Sequence, residues 1–220
     1  MGSDRSEVGP SPDRCGRVRN YRDGVTRFLL VRHGQSIWNE LGRWQGQADP
    51  PLSDLGRHQA KTAARSIGTV DLIVASTLER ARDTAGIIST ELGIGPVIEL
   101  DTIMERDAGE WSGLTRDEID VAYPNFLAEG RRPPGWETDE QLRDRVFGTL
   151  DALAAKVADG DVLIVTHGGV IMAVEDHLGG GHHRIANLGG RWIDGRDGTL
   201  TLGPRLDLLD GADVTVPDQI

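Results

Sequence analysis

The sequence is poor in cysteine and has no long apolar segment. Its 220 residues include a single cysteine, Cys15, so the chain cannot form an internal disulfide, as is usual in a reducing compartment. No run of about 18 apolar residues occurs, which argues against a transmembrane helix. The first 26 residues are polar and lack the apolar block of a signal peptide. These absences predict a cytoplasmic protein, with no membrane partner and a disordered tail over residues 1–26.

Positive charge is also scarce, since 24 lysines and arginines face 35 aspartates and glutamates, for a formal net charge of -11. Because nonspecific binding of nucleic acid requires a positive surface, we expect no nucleic-acid partner. The net charge does not exclude a small anionic substrate, since a local arginine cluster can override the field of the whole molecule.

Apolar segments alternate with amphipathic ones along most of the chain. The predicted strands are 27–31, 70–75, 97–100 and 161–166, and the predicted helices are 53–67, 78–92, 115–123, 138–158 and a last one ending at 178. A hairpin is predicted at 192–200. Alternating strands and helices indicate an α/β fold, a three-layer α/β/α sandwich with a mainly parallel central sheet. We expect one domain over residues 27–210 and a C-terminal tail over 211–220.

Two of the predicted strands end in the same kind of signal. The first runs into Arg32, His33 and Gly34, and the fourth into His167 and Gly168. Parallel strands end at the same edge of a sheet, so the two histidines are predicted to converge there. Arginine binds phosphate through two parallel hydrogen bonds, and histidine serves as nucleophile or base near neutral pH. The glycines let backbone amides approach an anion, so the pattern predicts phosphoryl chemistry.

Two further segments reach the same edge. Arg80 follows the second strand; alone it would be interpreted as an exposed helix arginine, but beside Arg32 and the two histidines it favours a phosphate clamp. The loop after the third strand carries Glu105, Asp107 and Glu110. Any of these three acids could protonate a leaving oxygen, and the residues alone do not choose among them.

Together, these segments resemble the histidine phosphatase superfamily, also called phosphoglycerate mutase-like. The segments that carry the resemblance are 30–39, 42–59, 76–85, 100–113 and 165–169. The paired Arg-His-Gly and Thr-His-Gly signals, in order and with the other blocks between them, are specific to it. The resemblance implies the phosphatase branch, with no cofactor and no metal, because clustered cations and amides stabilise the charge.

The resemblance also implies roles for individual residues. His33 is implied to be the nucleophile that becomes phosphorylated, and Glu105 the acid that protonates the leaving oxygen. Water would then hydrolyse the phosphohistidine. The residues implied to complete the phosphate pocket are Arg32, Arg80 and His167, with Asn39 beside them.

The loop at 43–49 resembles that of broad or metabolite-specific phosphatases. We expect Gln45, Gly46 and Gln47 to bind the substrate, together with Asn39 and Gly168. Trp44 fits a substrate contact and a structural cover equally well.

Several other charged or polar residues receive a plainer interpretation. Arg131 and Arg132 stand before a proline turn and are interpreted as a solvated pair rather than a substrate lid. His177, His182 and His183 lack the neighbouring ligands of a metal site and are interpreted as surface or loop residues.

The segment between Glu105 and His167 separates two activities of the family. The mutases of the family resemble one another in a longer insertion at this place, which carries basic residues. The segment in this chain is too short to contain it. We therefore expect a phosphomonoesterase acting on a small phosphorylated metabolite. The alternatives are a 2,3-bisphosphoglycerate-dependent phosphoglycerate mutase and an inactive phospho-ligand-binding member, and the intact motifs speak against the latter. A monomer and a homodimer are both compatible with the sequence.

Overall fold

The computed structural model describes residues 24–157 and 159–217 of the chain. Its centre is a six-stranded sheet in the order β3-β2-β4-β1-β5-β6. The strands are β1 Val25–Arg32, β2 Leu72–Ser76, β3 Ile98–Leu100, β4 Gly160–Thr166, β5 Gly189–Arg196 and β6 Thr199–Asp207. The first four are mutually parallel, and β5 and β6 add an antiparallel hairpin at one side. The mainly parallel sheet agrees with the prediction.

Six α-helices within residues 24–157 and 159–217 flank the sheet or its edge. They are α1 Ile37–Glu40, α2 Asp54–Ala64, α3 Glu79–Leu92, α4 Arg116–Ala122, α5 Asp139–Lys156 and α6 Gly168–His177. Ser53, Thr115 and Thr138 cap the N-termini of α2, α4 and α5, because each side-chain oxygen accepts a hydrogen bond from a backbone N–H of the first turn. None of the described helices is long and apolar enough to cross a membrane.

Alternate residues of β1 supply two separate cores. Leu29 and Val31 pack with α2 and α3 on one face, and Phe28 and Leu30 pack with α5 and α6 on the other. Successive strand side chains point to opposite faces, and a strand buried on both faces therefore has a continuous apolar sequence. This arrangement confirms the three-layer fold and exposes the carboxyl ends of β1, β2 and β4 at one edge.

Both predicted ends of the domain differ from the structure. Residues 1–23 of the expected tail lie outside the described residues, and β1 already begins at Val25. The C-terminal residues 211–217, expected as a tail, instead pack on the domain. The backbone N–H of Asn187 donates to the carbonyl of Thr215 (2.9 Å), and Pro217 is buried. Polar groups buried in the domain find hydrogen-bond partners in this segment, which therefore belongs to the folded unit.

The hairpin is longer than predicted. Its register runs from Gly189 opposite Asp207 to Arg196 opposite Thr199. The turn consists of Asp197 and Gly198, whose φ angles of 51° and 74° are those of a type I′ turn.

A third apolar cluster covers the loops above the sheet edge. The rings of Trp44, Trp111 and Trp136 contact one another with centroids 5.3–5.9 Å apart, and Ile119 of α4 packs against them. This cluster fixes the segment from Glu105 to the start of α5 over the carboxyl ends of the strands.

Candidate active site

The predicted convergence of the strand ends is found in the structure. Arg32 ends β1, His33 follows it, His167 follows β4, and Arg80 lies in the first turn of α3 after β2. The two imidazole rings are 5.2 Å apart between centroids. All four side chains are at most 2% exposed. With Glu105 they form what we call the inner pocket.

Arg80 is fixed on three sides. Its Nε donates to Nε2 of His33 (3.3 Å), and its terminal nitrogens donate to the carbonyls of Gly46 (2.8 Å) and Ala48 (2.7 Å). Gly46 has a φ of 50°, and a Cβ there would lie 2.7 Å from the backbone nitrogen of Ala108. Only glycine fits this close approach. The carbonyls of the 43–49 loop hold the guanidinium of Arg80 against His33.

His33 is held in one tautomer. Its Nδ1 lies 2.6 Å from the carbonyl oxygen of Gly34, which can only accept, so Nδ1 carries the proton. Nε2 then keeps its lone pair. Burial lowers the pKa of His33 well below its usual value, and the charges of Arg80 and Arg32 lower it further. The imidazole is therefore neutral near pH 7, the form in which Nε2 can act as a nucleophile.

The two arginines stay charged despite their burial. Burial lowers the pKa of Arg32 and of Arg80 to about 10, and the carboxylate of Glu105 opposes the shift in both. Both are therefore cations at neutral pH, two positive charges in a chain whose net charge is -11.

Two buried polar atoms of the inner pocket have no hydrogen-bond partner among the described residues. They are Nε of Arg32 and Nδ1 of His167. Arg32 donates to the carbonyl of Ile185 (2.8 Å), and Nε2 of His167 is hydrogen-bonded to Oγ of Ser76 (2.8 Å). An unsatisfied buried polar group costs about 1–3 kcal/mol. Arg32 lines the cavity, where an oxygen atom of a phosphoryl group would satisfy its Nε, whereas His167 is not among the lining residues.

The structure distinguishes the three acids of the loop. Glu105 lines the cavity, and its carboxylate accepts hydrogen bonds from the backbone N–H of Arg106 (2.8 Å) and of Gly169 at the start of α6 (3.1 Å). Asp107 instead accepts from the N–H of Gly109 (2.9 Å), and the exposed Glu110 accepts from the hydroxyl of a tyrosine. Of the three, Glu105 is the one that faces the space in front of the histidines.

Five further residues were predicted to bind the substrate beside the inner pocket, and one of them, Gly46, lines the cavity. Asn39 and Gln45 line the cavity, and both are tied to Ser36: Asn39 Oδ1 accepts from its backbone N–H (3.2 Å) and Gln45 Oε1 from its hydroxyl (2.8 Å). Gln47 and Gly168 are not among the lining residues. The side-chain amide of Gln47 donates to the backbone carbonyl of Glu105 (3.3 Å), so Gln47 supports the acid from behind.

The whole cavity measures about 600 Å³, a size typical of small-molecule sites. Trp44 lines the cavity and also packs in the tryptophan cluster, so its position is compatible with both functions considered for it. Beyond the inner pocket the lining includes a set of charged and aromatic side chains that we call the outer wall. Its members are Arg106, Arg132, Trp136, Asp139, Arg143, Asp176, His177 and His182.

Arg132, His177 and His182 are exposed, as interpreted, and each of them also lines the cavity. They reach the cavity because the 130–136 loop and the end of α6 fold over the sheet edge, and no motif signals this. Arg131 does behave as interpreted: its exposed side chain pairs with Glu129 (2.7 Å). Within 24–157 and 159–217, no group of three or more His, Cys, Asp or Glu is arranged to hold a metal ion.

Comparison with known proteins places this site in a family. Residues 28–188 match the sequence model of the family described as "Histidine phosphatase superfamily (branch 1)". The chain belongs to this superfamily. The metal-independent phosphoserine phosphatase of Arabidopsis thaliana is 37% identical over 160 residues, which are 68% of this chain and 67% of that protein.

Solved structures agree with this assignment. A mycobacterial glucosyl-3-phosphoglycerate phosphatase in complex with VO3 has a TM-score of 0.74 at 31% identity, over 80% of this chain and 96% of that one. A phosphoglycerate mutase from Bacillus anthracis has a TM-score of 0.75 at 23% identity, over 86% of this chain and 96% of that one, and so shares the fold. The predicted phosphoglycerate mutase-like fold and the predicted class of enzyme, a histidine phosphatase, are confirmed.

Proposed function

We propose that this protein hydrolyses a small phosphorylated metabolite through a phosphohistidine intermediate at His33. The observation that carries the proposal is the state of His33: buried, neutral, with the Nδ1 proton on a carbonyl and Nε2 held by Arg80 beside the cavity. No other histidine that lines the cavity is buried in this way.

In the first step the phosphoryl group binds between Arg32, Arg80 and His167, whose charges and N–H groups stabilise its oxygens. Nε2 of His33 attacks phosphorus as the bond to the leaving oxygen breaks. Glu105 gives a proton to that oxygen, and the alcohol departs. Positive charge develops on the imidazole, and the hydrogen bond from Nδ1 to the carbonyl of Gly34 strengthens with it.

In the second step water replaces the alcohol. The carboxylate of Glu105 takes a proton from the water as its oxygen attacks phosphorus, and the bond between phosphorus and Nε2 breaks. Inorganic phosphate leaves, His33 returns to its neutral form and Glu105 is protonated again. One acid–base residue thus serves both halves of the cycle.

The outer wall bears on the identity of the alcohol. Arg106 is neutralised by Asp139 (2.7 Å). Arg132 has no carboxylate partner among the described residues and lies 5.0 Å from the ring of Trp136, and Arg143 has only a loose pair with Asp144 at 3.8 Å. Two weakly neutralised arginines in a cavity favour a substrate with a second anionic group, such as a carboxylate.

The named substrates of two relatives fit this chemistry. Phosphoserine and a glucosyl phosphoglycerate both carry a carboxylate in addition to the phosphate. The phosphorylated substrate that we propose for this chain is accordingly a phosphate ester of a small hydroxy acid.

Turnover of p-nitrophenyl phosphate in the presence of EDTA tests the proposal. We expect release of p-nitrophenol and, after acid-free quenching, a phosphoryl group bound to a peptide that contains His33. His33→Ala should lose both signals. Absence of turnover in the wild type, or a loss of turnover on addition of EDTA, would overturn the proposed function or its metal-free mechanism, respectively.

The mutase alternative has its own test. With 3-phosphoglycerate and 2,3-bisphosphoglycerate, a phosphatase releases inorganic phosphate, whereas a mutase forms 2-phosphoglycerate. We expect free phosphate, and rapid exchange of the two isomers would contradict the assignment.

A further inference from the structure

The turn at residues 33–36, which we call the nucleophile turn, is held by side chains from distant elements. Thr84 of α3 accepts from the N–H of Gly34 (3.1 Å), and Gln59 of α2 accepts from the N–H of Gln35 (2.7 Å). Asn187, just before β5, donates to the carbonyl of His33 (2.9 Å). Both peptide planes around Gly34 are therefore fixed from outside the turn.

Two of these side chains meet at one hydroxyl near the C-terminus. Nε2 of Gln59 donates to Oγ1 of Thr215 (3.0 Å), and that hydroxyl donates to Oδ1 of Asn187 (2.8 Å). The result is a closed chain of hydrogen bonds that starts at the N–H of Gln35 and ends at the carbonyl of His33. We call it the amide circuit; its side chains are Gln59, Asn187 and Thr215.

The direction of every bond in the amide circuit is determined. The backbone N–H of Gln35 can only donate, so Gln59 presents its oxygen there and its NH₂ group to Thr215. The carbonyl of His33 can only accept, so Asn187 presents its NH₂ group there and its oxygen to Thr215. Thr215 must accept on one side and donate on the other, which a hydroxyl does and an apolar side chain does not.

The two side-chain amides of the amide circuit are buried, so water cannot replace a hydrogen bond that they lose. Gln59 is fully buried and Asn187 is 1% exposed. The C-terminal segment is docked on both of them, because Gln59 also donates to the carbonyl of Asp213 (2.7 Å) and the N–H of Asn187 donates to the carbonyl of Thr215 (2.9 Å). Loss of the hydroxyl leaves the buried Asn187 oxygen without this donor and leaves the NH₂ group of Gln59 with the carbonyl of Asp213 alone, so both amides are held less tightly.

We propose that Thr215 is a positioning residue that holds His33 in its reactive tautomer through the amide circuit. Gln59 sets the plane of the peptide between Gly34 and Gln35. That plane aims the Gly34 carbonyl at Nδ1 of His33. The proton kept at Nδ1 leaves Nε2 unprotonated, and its lone pair becomes available for attack on phosphorus once the hydrogen bond from Arg80 turns to the phosphoryl group. The inference rests on the proposed role of His33 as nucleophile.

Thr215→Val tests the proposal, because valine keeps the shape of threonine and removes the hydroxyl. We expect kcat for p-nitrophenyl phosphate to fall about tenfold, since small displacements of a reacting group are costly. KM should stay within twofold, because Thr215 does not line the cavity. Thr215→Ser, which restores the hydroxyl, should recover wild-type kcat. Thr201→Val removes an exposed hydroxyl from the hairpin and serves as the matched control.

A second measurement reads the tautomer without turnover. In protein labelled with 15N at histidine, the two ring nitrogens of His33 should differ strongly in the wild type and approach each other in Thr215→Val. Unchanged kcat and an unchanged spectrum would overturn the proposal, as would a Thr215→Ser variant as impaired as Thr215→Val. If Thr215→Val does not fold, the smaller Thr215→Ala takes its place under the same criteria. A wild type without phosphatase activity would contradict the proposed function, whereas the spectrum would still test Thr215.

Discussion

The inner pocket and the outer wall share one cavity but are built differently. Inner-pocket side chains come from strand ends or the turns beside them, are at most 8% exposed, and are hydrogen-bonded to backbone or to buried polar groups. Outer-wall side chains come from the 130–136 loop, helix α5, the end of α6 and the loop after it, with Arg106 from the loop that carries Glu105, and several are exposed. The difference fits the proposed division of labour, in which phosphoryl transfer requires fixed geometry and the alcohol is recognised by charge on more exposed side chains.

The sharpest test of the inner pocket concerns Glu105. In Glu105→Gln we expect a loss of about 10³ in kcat/KM for an alkyl phosphate, because the leaving alkoxide then lacks its proton. The loss should be smaller for p-nitrophenyl phosphate, whose leaving oxygen needs no proton. Glu110→Gln, an exposed acid of the same loop, is the matched control. Equal losses for the two substrates would show that Glu105 is not the proton donor.

Arg80 provides the next largest effect. Arg80→Met removes the positive charge that stabilises the phosphoryl oxygens and the hydrogen bond to His33. We expect kcat/KM to fall by about 10². Because the positive charge of Arg80 lowers the pKa of His33, the acid limb of the pH profile should also move to higher pH. Arg82→Met on the exposed side of the same helix should leave both unchanged. An unshifted acid limb would contradict the coupling between the two residues.

These inner-pocket features were largely predictable from the sequence. Strand ends in a parallel sheet converge whatever lies between them, so the positions of Arg32, His33 and His167 followed from local patterns alone. The choice of Glu105 among three acids depended on the family resemblance, and of the three only Glu105 lines the cavity in the structure.

The outer wall and the amide circuit were not predictable in this way. Arg132 and His182 reach the cavity through loop conformations that no local pattern encodes. Thr215 was expected to lie in a tail because nothing in its local sequence indicates packing. Its hydroxyl is hydrogen-bonded to Gln59 and Asn187, which are far away in the sequence. Long-range polar contacts of this kind leave no periodicity to detect.

Stability against pH tests the burial of the inner pocket. Burial lowers the pKa of both His33 and His167 well below 6.5, so near pH 6 the unfolded chain binds protons that the folded chain does not. Stability should therefore be constant above about pH 6.5 and fall below it by about 1.4 kcal/mol per pH unit for each histidine. Urea unfolding between pH 7.5 and 5.5 measures this. His33→Asn should reduce the slope by half, and exposed His183→Asn should not change it.

The smallest effect is expected for substitutions in the outer wall. This effect tests whether the outer wall and the inner pocket have separate functions. Arg132→Gln and Arg143→Gln should each lower kcat/KM for a phosphorylated hydroxy acid by about two- to fivefold, the scale of one partly solvated ion pair. Neither should affect p-nitrophenyl phosphate, which carries no second anion. Arg131→Gln, whose side chain points away to Glu129, is the matched control. A similar loss for both substrates would mean that the outer wall also supports the chemistry. If the outer wall only recognises the second anionic group, its variants cannot slow the reaction of p-nitrophenyl phosphate, which lacks that group.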